Sequence, residues 1–265
     1  MSSAPEFLHP VDPSNGEALA PVACTTSEEL AAIVAAARRA ATAWADTPLA
    51  ERCGRLRAFA AALGGAASEG LAQEVSREMG KPLREARAEV RGVASRIESF
   101  IARAEEACAE EVGTEGGIKV TVRWRPIGVV AVIGPWNYPV ATPNNLTMSA
   151  LLTGNAVVFK PSEFTPRTGA MLHGLLAPHL PAGLLGLVQG TGKVGAALVA
   201  GAVDMIAFTG SITTGQAIMR EAANGMKRLV LELGGKDPMI VLPGADLEAA
   251  AQHAAIEATR NAGQV

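Results

Sequence analysis

Five short stretches hold residue types that could do chemistry together. In Gly134-Pro135-Trp136-Asn137-Tyr138-Pro139 an asparagine sits between two prolines, which restrict the backbone and aim its amide. An amide held this way could donate to a developing alkoxide, as an oxyanion-hole group does. It also suits a turn asparagine that bonds its own backbone. Phe159-Lys160-Pro161-Ser162-Glu163 offers a lysine donor and a carboxylate acceptor, a set able to grip a ribose. A carboxylate there would repel a 2′-phosphate and favour NAD over NADP; an isolated Lys-x-x-Glu equally fits a surface ion pair. Gly190-Thr191-Gly192-Lys193-Val194-Gly195 reads formally as GxGxxG. That fingerprint belongs after a first strand and this one follows a third, while Val194 after Lys193 and the spacing exclude a Walker A loop. Phe208-Thr209-Gly210-Ser211-Ile212-Thr213-Thr214-Gly215 is a small-residue turn opening a helix, whose first N–H groups can face an anion such as a pyrophosphate. In Leu231-Glu232-Leu233-Gly234-Gly235-Lys236 a glutamate lies between leucines. Such surroundings predict a carboxyl raised toward the working range of a general base. A glutamate on the wet face of a strand is the other reading.

The elements that must position these groups follow from hydrophobic periodicity. Val129–Ile133, Ala156–Phe159, Gly186–Gln189, Met205–Phe208 and Leu229–Leu233 are short apolar runs without alternation, which predicts strands buried on both faces. Helical patterns lie between them near 143–153, 165–177, 193–200 and 213–223. Strand-helix repetition predicts a parallel α/β sheet with right-handed crossovers, whose ligands bind outside the carboxyl ends of the strands. All five stretches sit at those ends.

Before the sheet, residues 8–24 read as short extended pieces around a Pro13-Ser14-Asn15-Gly16 turn. Helices follow: one begins at the capping box Thr26-Ser27-Glu28-Glu29 and carries Leu30, Ile33, Val34, Ala37, Ala41 and Trp44 on one side. Thr47-Pro48 is expected to cap and start a second, a short third ends at Gly80, and a long amphipathic one runs from Pro82 to about Glu110. At Ile118, Val120, Val122 and Trp124 the period drops to two, alternating with Lys119, Thr121, Arg123 and Arg125. That predicts a strand over 118–125 with one wet face, part of a projecting hairpin arm. Asp246 opens a final helical pattern that includes "AAIEATRNAGQV", residues 254–265.

The sequence has 265 residues and a net charge of −3, with acids and bases interspersed. No basic stripe or acidic tail marks a nucleic-acid partner. The longest apolar run, Ile127–Ile133, is far too short to span a bilayer, and no signal-peptide core follows Met1–Glu6. Cys24, Cys53 and Cys108 form no CxxC and are expected to be small, buried or half-buried apolar residues in a reducing compartment. A cytoplasmic protein without membrane contact or bound metal is the expectation.

Taken together, "GPWNYP", "FKPSE", "FTGS", "LELGGK" and "NAGQ", in this order and on these strand ends, resemble the aldehyde dehydrogenase superfamily over the whole chain. The resemblance implies a Rossmann-like parallel five-stranded sheet with helices on both faces, preceded by an N-terminal helical segment. It implies that Ile133, Trp136, Lys160, Ser162, Glu163, Gly192, Gly195, Phe208, Gly210, Ser211, Thr214, Leu233 and Gly234 face an NAD cofactor. Asn137 then matches the oxyanion-hole amide and Glu232 the general base. In that family a cysteine thiolate attacks the aldehyde, hydride passes to the nicotinamide, and the base activates the water that hydrolyses the thioester. Acylating relatives, which pass the acyl group to coenzyme A, usually lack the glutamate, so a carboxylate product is expected.

The resemblance also implies a division. Residues 1–234 would form the NAD-binding domain with its N-terminal helices and arm, and 235–265 the start of a catalytic domain. Met239–Leu242 would be one of that domain's inner strands. The family's nucleophile lies two residues after the "GQ" of "NAGQ", one position past Val265, so the expectation is an N-terminal portion of a truncated aldehyde dehydrogenase fold, inactive alone. The complete protein is expected to pair through its arm as a homo-oligomer and to act on a small-molecule aldehyde. Alternatives are a stand-alone NAD-binding or regulatory fragment, or part of an acylating or semialdehyde dehydrogenase. Tyr138, Met148 and Leu151 suit either a substrate entrance or core packing.

Overall fold

The structure, a computed structural model, describes residues 6–265; Met1–Pro5, on which part of the leader reading rests, lie outside the described residues. A short antiparallel pair, β1 (Phe7–Leu8) with β2 (Val22–Ala23), opens the chain around the expected turn, where Gly16 has φ +77°. Helix α1 (Ser27–Asp46) begins at the predicted capping box. The Thr26 hydroxyl accepts from Glu29 N at 3.2 Å and the Glu29 carboxylate accepts from Thr26 N at 2.8 Å. Satisfying two orphan donors this way contributes about 1 kcal/mol. The buried face is Leu30, Val34, Ala37, Ala41 and Trp44, and the Trp44 indole donates to Leu151 O at 2.9 Å.

Helices α2 (Leu49–Ala62), α3 (Gly65–Met79) and α4 (Leu83–Ala107) follow. Two expectations are corrected here. Thr47 does not cap α2; it closes α1, its hydroxyl donating to Ala43 O at 3.0 Å. The third helix is a full 15 residues, since Leu71, Ala72, Val75 and Met79 give it a buried face. The hairpin β3 (Glu111–Glu115) and β4 (Ile118–Val122) turns at Gly116 and Gly117, with φ +56° and +81°, values that only glycine adopts at little cost. The segment is a hairpin, whose second strand stops at Val122 rather than running to 125. Every residue of β4 is exposed, as is Trp124 just beyond it.

The central sheet contains β5 (Val129–Ile133), β6 (Ala156–Lys160), β7 (Leu185–Leu187), β8 (Met205–Gly210) and β9 (Arg228–Leu233). Helices α5 (Ala141–Leu152), α6 (Pro166–Leu176), α7 (Gly192–Ala200) and α8 (Ile212–Asn224) connect them. All strand pairs are parallel, in the order β7-β6-β5-β8-β9. This is the doubly wound order, with its topological switch between β5 and β8. Strands β5 and β6 are buried at every position, as their unbroken apolar runs predicted. Strand β9 is not: it is an edge strand, with Arg228, Glu232 and Leu233 exposed, since only β8 pairs with it.

Beyond β9 the chain runs irregularly to α9 (Leu247–Thr259), capped by Asp246 as expected. Met239–Leu242 form no strand; those four side chains are exposed, because no strand among the described residues offers them a ladder. The large apolar residues of α9, Leu247 and Ile256, are likewise exposed. Among the described residues no helix is long and apolar enough to cross a membrane.

A buried carboxyl joins the N-terminal helices to the sheet layer. Glu78, on α3, accepts from Arg167 N at 2.9 Å and Thr168 N at 2.7 Å, the first turn of α6. Burial pushes its carboxyl up to about 6 from 4.5, outweighing those two N–H groups, and nearby Glu74 acts in the same direction as burial. Because the folded value exceeds the unfolded one, the stabilising contribution is complete below pH 4.5 and is lost as pH rises through about 6. Comparing Glu78→Gln with the wild type cancels the carboxylates that do not face Glu78. In urea unfolding at pH 4.5 and pH 7, the difference should shift toward the variant by on the order of 2 kcal/mol as pH rises; a difference independent of pH would refute this.

Candidate active site

A large cleft, of ≈ 1380 Å³, opens along the carboxyl ends of the sheet at the β5/β8 switch. It exceeds the roughly 300–1,000 Å³ that suffices for a drug-sized ligand. All fifteen residues to which the resemblance gives a catalytic or cofactor-binding role line it. Ile133, Trp136 and Asn137 come from the end of β5 and its loop; Lys160, Ser162 and Glu163 from that of β6; Gly192 and Gly195 from α7. Phe208, Gly210, Ser211 and Thr214 come from β8 and the start of α8; Glu232, Leu233 and Gly234 from the end of β9.

Asn137 is held from several sides. Its side-chain oxygen accepts from Tyr138 N at 3.1 Å, so the turn reading holds for half of the amide. The other half, Nδ2, is turned outward and donates to Gln264 O at 3.0 Å. Its main-chain carbonyl accepts from Lys81 Nζ at 2.8 Å and from Asn261 Nδ2 at 3.0 Å. The donor expected to meet a developing oxyanion therefore already faces a carbonyl oxygen in the cleft.

Behind that loop lies a pair that sequence reasoning missed. Lys81 and Glu89 form an ion pair at 2.5 Å, with side chains 0% and 2% exposed. Glu89 Oε1 also accepts from Val140 N and Ala141 N, each at 2.9 Å, at the start of α5. The Lys81 ammonium sits 4.3 Å from the Tyr138 ring centroid. Burial pushes the Lys81 ammonium down, opposed by the facing carboxylate. In the sequence, Lys81 looks like a loop residue after Gly80, and Glu89 like one more charge on an amphipathic helix. A charge at the edge of the Ala86, Val90 and Val93 face was the only signal available.

Lys160 is no surface residue: its side chain is 3% exposed. Nζ donates to Pro161 O at 3.1 Å and lies 3.9 Å from the Glu163 carboxylate, beyond hydrogen-bond range. Burial pushes the ammonium down and Glu163 partly restores it. Ser211 caps α8, its hydroxyl accepting from Thr214 N at 3.2 Å, while Thr213 and Thr214 of that first turn line the cleft. A side chain at Gly192 would meet nothing within 4 Å, so the bare backbone there leaves the cleft open.

The enclosure expected around Glu232 does not form. Its leucine neighbours do not shield it, because adjacent residues on a strand point to opposite faces, and β9 is an edge strand. Glu232 is exposed at the cleft wall. Met148 and Leu151 are fully buried core, and neither they nor Tyr138 line the cleft. All three cysteines are free and none lines it. Among the described residues no group of His, Cys, Asp or Glu is placed to hold a metal ion. The sequence reading also passed over Phe164, whose ring meets Trp136 edge to face at 6.3 Å, and the cleft-lining sides of α7 and α8.

Comparison with known proteins fits this geometry. The family model described as "Aldehyde dehydrogenase family" matches residues 1–265. N-succinylglutamate 5-semialdehyde dehydrogenase of Vibrio cholerae is 44% identical over 219 residues, covering 82% of this chain and 45% of that protein. The protein of the same name from Paraburkholderia xenovorans is 39% identical over 257 residues, covering 96% of this chain and 52% of its own. Among solved structures, PnpE in complex with nicotinamide adenine dinucleotide superimposes with a TM-score of 0.93 at 35% identity, over 98% of this chain and 54% of that one. An NADP-dependent enzyme of E. coli gives 0.92 at 35% identity, over 98% and 55%. The chain spans about half the length of the curated relatives it matches.

The buried pair makes a testable claim about stability. Lys81→Met leaves the Glu89 charge buried and unpaired and should cost roughly 3–5 kcal/mol in urea unfolding. Glu89→Gln should cost less, since an amide oxygen still accepts from Val140 and Ala141. Equal, small losses in both variants would show that the pair does not hold the loop.

Proposed function

This chain belongs to the aldehyde dehydrogenase family, and we propose that it carries the cofactor-binding and base-bearing half of an NAD-dependent, non-acylating oxidation of an aldehyde to a carboxylate. The supporting observation is the convergence of fifteen residues from five strand ends on one cleft. The cleft suits a dinucleotide: Gly192 leaves backbone bare toward it, and the buried Thr209 hydroxyl on its wall has no partner among the described residues. Lys160 and Glu163 would hold a ribose by donating to and accepting from its hydroxyls, and the first turn of α8 would face the pyrophosphate. Bound there, the nicotinamide supplies the hydride acceptor.

In this reading Asn137 Nδ2 donates to the oxygen that gains charge when a thiolate adds to the aldehyde carbon. The family resemblance assigns that thiolate to the position following Val265. After hydride transfer, Glu232 accepts a proton from the water that attacks the thioester, and the product leaves as a carboxylate. Residues 1–234 are the cofactor domain in this scheme and 235–265 the approach to a catalytic domain. The exposed hairpin β3–β4 is the surface through which complete subunits pair. The names of the relatives favour a semialdehyde as substrate, with N-succinylglutamate 5-semialdehyde the first to try.

Two outcomes follow for the purified 265-residue chain. It should bind NAD weakly in calorimetry and reduce none of it above background with N-succinylglutamate 5-semialdehyde. Turnover would overturn the assignment of the thiolate beyond Val265. Glu163→Ala should narrow the preference for NAD over NADP by about tenfold, the equivalent of one lost repulsive contact; an unchanged ratio would remove Glu163 from cofactor selection.

A further inference from the structure

One end of the cleft extends beyond the groups assigned above. Gly192, Gly195–Ala196 and Val199–Ala200 recur along α7 at three- and four-residue spacing, as do Thr214, Ala217–Ile218 and Glu221 along α8. Residues so spaced share one helix face, and both rows line the cleft. The rows are small or apolar until Glu221, their one charged member. Seven residues separate Thr214 from Glu221, about 10 Å along the helix. A pyrophosphate held at the first turn of α8 leaves that length for a nucleoside, whose flat base is the part suited to apolar walls. Nicotinamide, by contrast, must lie toward Asn137 and Glu232 for hydride to reach it.

The two helices are tied at this end. Lys227 Nζ, just past α8, donates to Val199 O and Gly201 O, both at 2.5 Å, at the end of α7. Glu221 is half-buried there, and its Oε2 accepts from Asn224 Nδ2 at 3.3 Å, which leaves Oε1 to accept from a ligand. An ionised carboxylate accepts and cannot donate.

We propose that Glu221 selects the purine of the dinucleotide, accepting from the exocyclic amino group of adenine and disfavouring a base with a carbonyl at that position. The inference rests on the cofactor reading above. Its test is calorimetric titration of the 265-residue chain with NAD and with nicotinamide hypoxanthine dinucleotide, at millimolar ligand. The wild type should prefer NAD by about tenfold, a single charge-assisted hydrogen bond. Glu221→Gln, whose amide both donates and accepts, should collapse that preference, and Glu221→Ala should weaken NAD and tighten the hypoxanthine analogue, so that the two bind alike. Equal binding of the two dinucleotides by the wild type, or a preference that survives Glu221→Gln, overturns this inference alone. Binding of neither overturns the cofactor reading and this inference together.

Discussion

A parallel sheet can be built only if every strand returns to the same edge before the next begins. Each of β5, β6, β7 and β8 is therefore followed by a helix, and every loop leaving a carboxyl end opens on the same side of the molecule. The order β7-β6-β5-β8-β9 adds a second consequence, because the chain winds away in opposite directions from β5 and from β8. The loops at the switch separate and leave a crevice. The cleft and the convergence on it of residues distant in sequence follow from strand direction and order; its apolar end comes from the small and apolar rows of α7 and α8.

Strand order opens the crevice but does not aim the groups along its rim. Buried charges from the N-terminal helices and the turn between α3 and α4 do that. Lys81 and Glu89 direct their polar atoms at one another and at the backbone of 137–141, so the ammonium and carboxylate are compensated while the Asn137 loop acquires fixed partners. Glu78 acts similarly on the start of α6, and the Arg167 side chain reaches back to Glu74. An isolated buried charge would cost far more than these helices could offset. Such a network persists only where each member is satisfied, and that requirement makes the rim rigid.

The strand ends were readable in the sequence because their signals are local: an unbroken apolar run, then glycine, proline or a small polar residue. The helices between were readable for the same reason, and their limits moved by only one or two residues. The reading failed where the outcome depended on what lies beside an element. The run at 229–233 looks as buried as that at 129–133, yet one strand is an edge and the other is central. Leucines on either side of Glu232 suggested enclosure, but alternation along a strand turns them to the other face. Met239–Leu242 has the composition of a strand and no partner with which to form one.

The sequence by itself determined the element types, the parallel class of the sheet and the identities of the groups at its carboxyl ends, since periodicity and turn chemistry act over a few residues. The family resemblance rested on those same motifs. Tertiary structure alone decided which charges are buried and which groups meet across the cleft. Lys81, Glu89 and Asn137 are joined by contacts between separate elements. Glu221 comes into line with Thr214 only once α8 is folded and α7 lies against the same cleft. Burial and pairing are properties of neighbours brought together by the fold, and no local pattern in the chain encodes them.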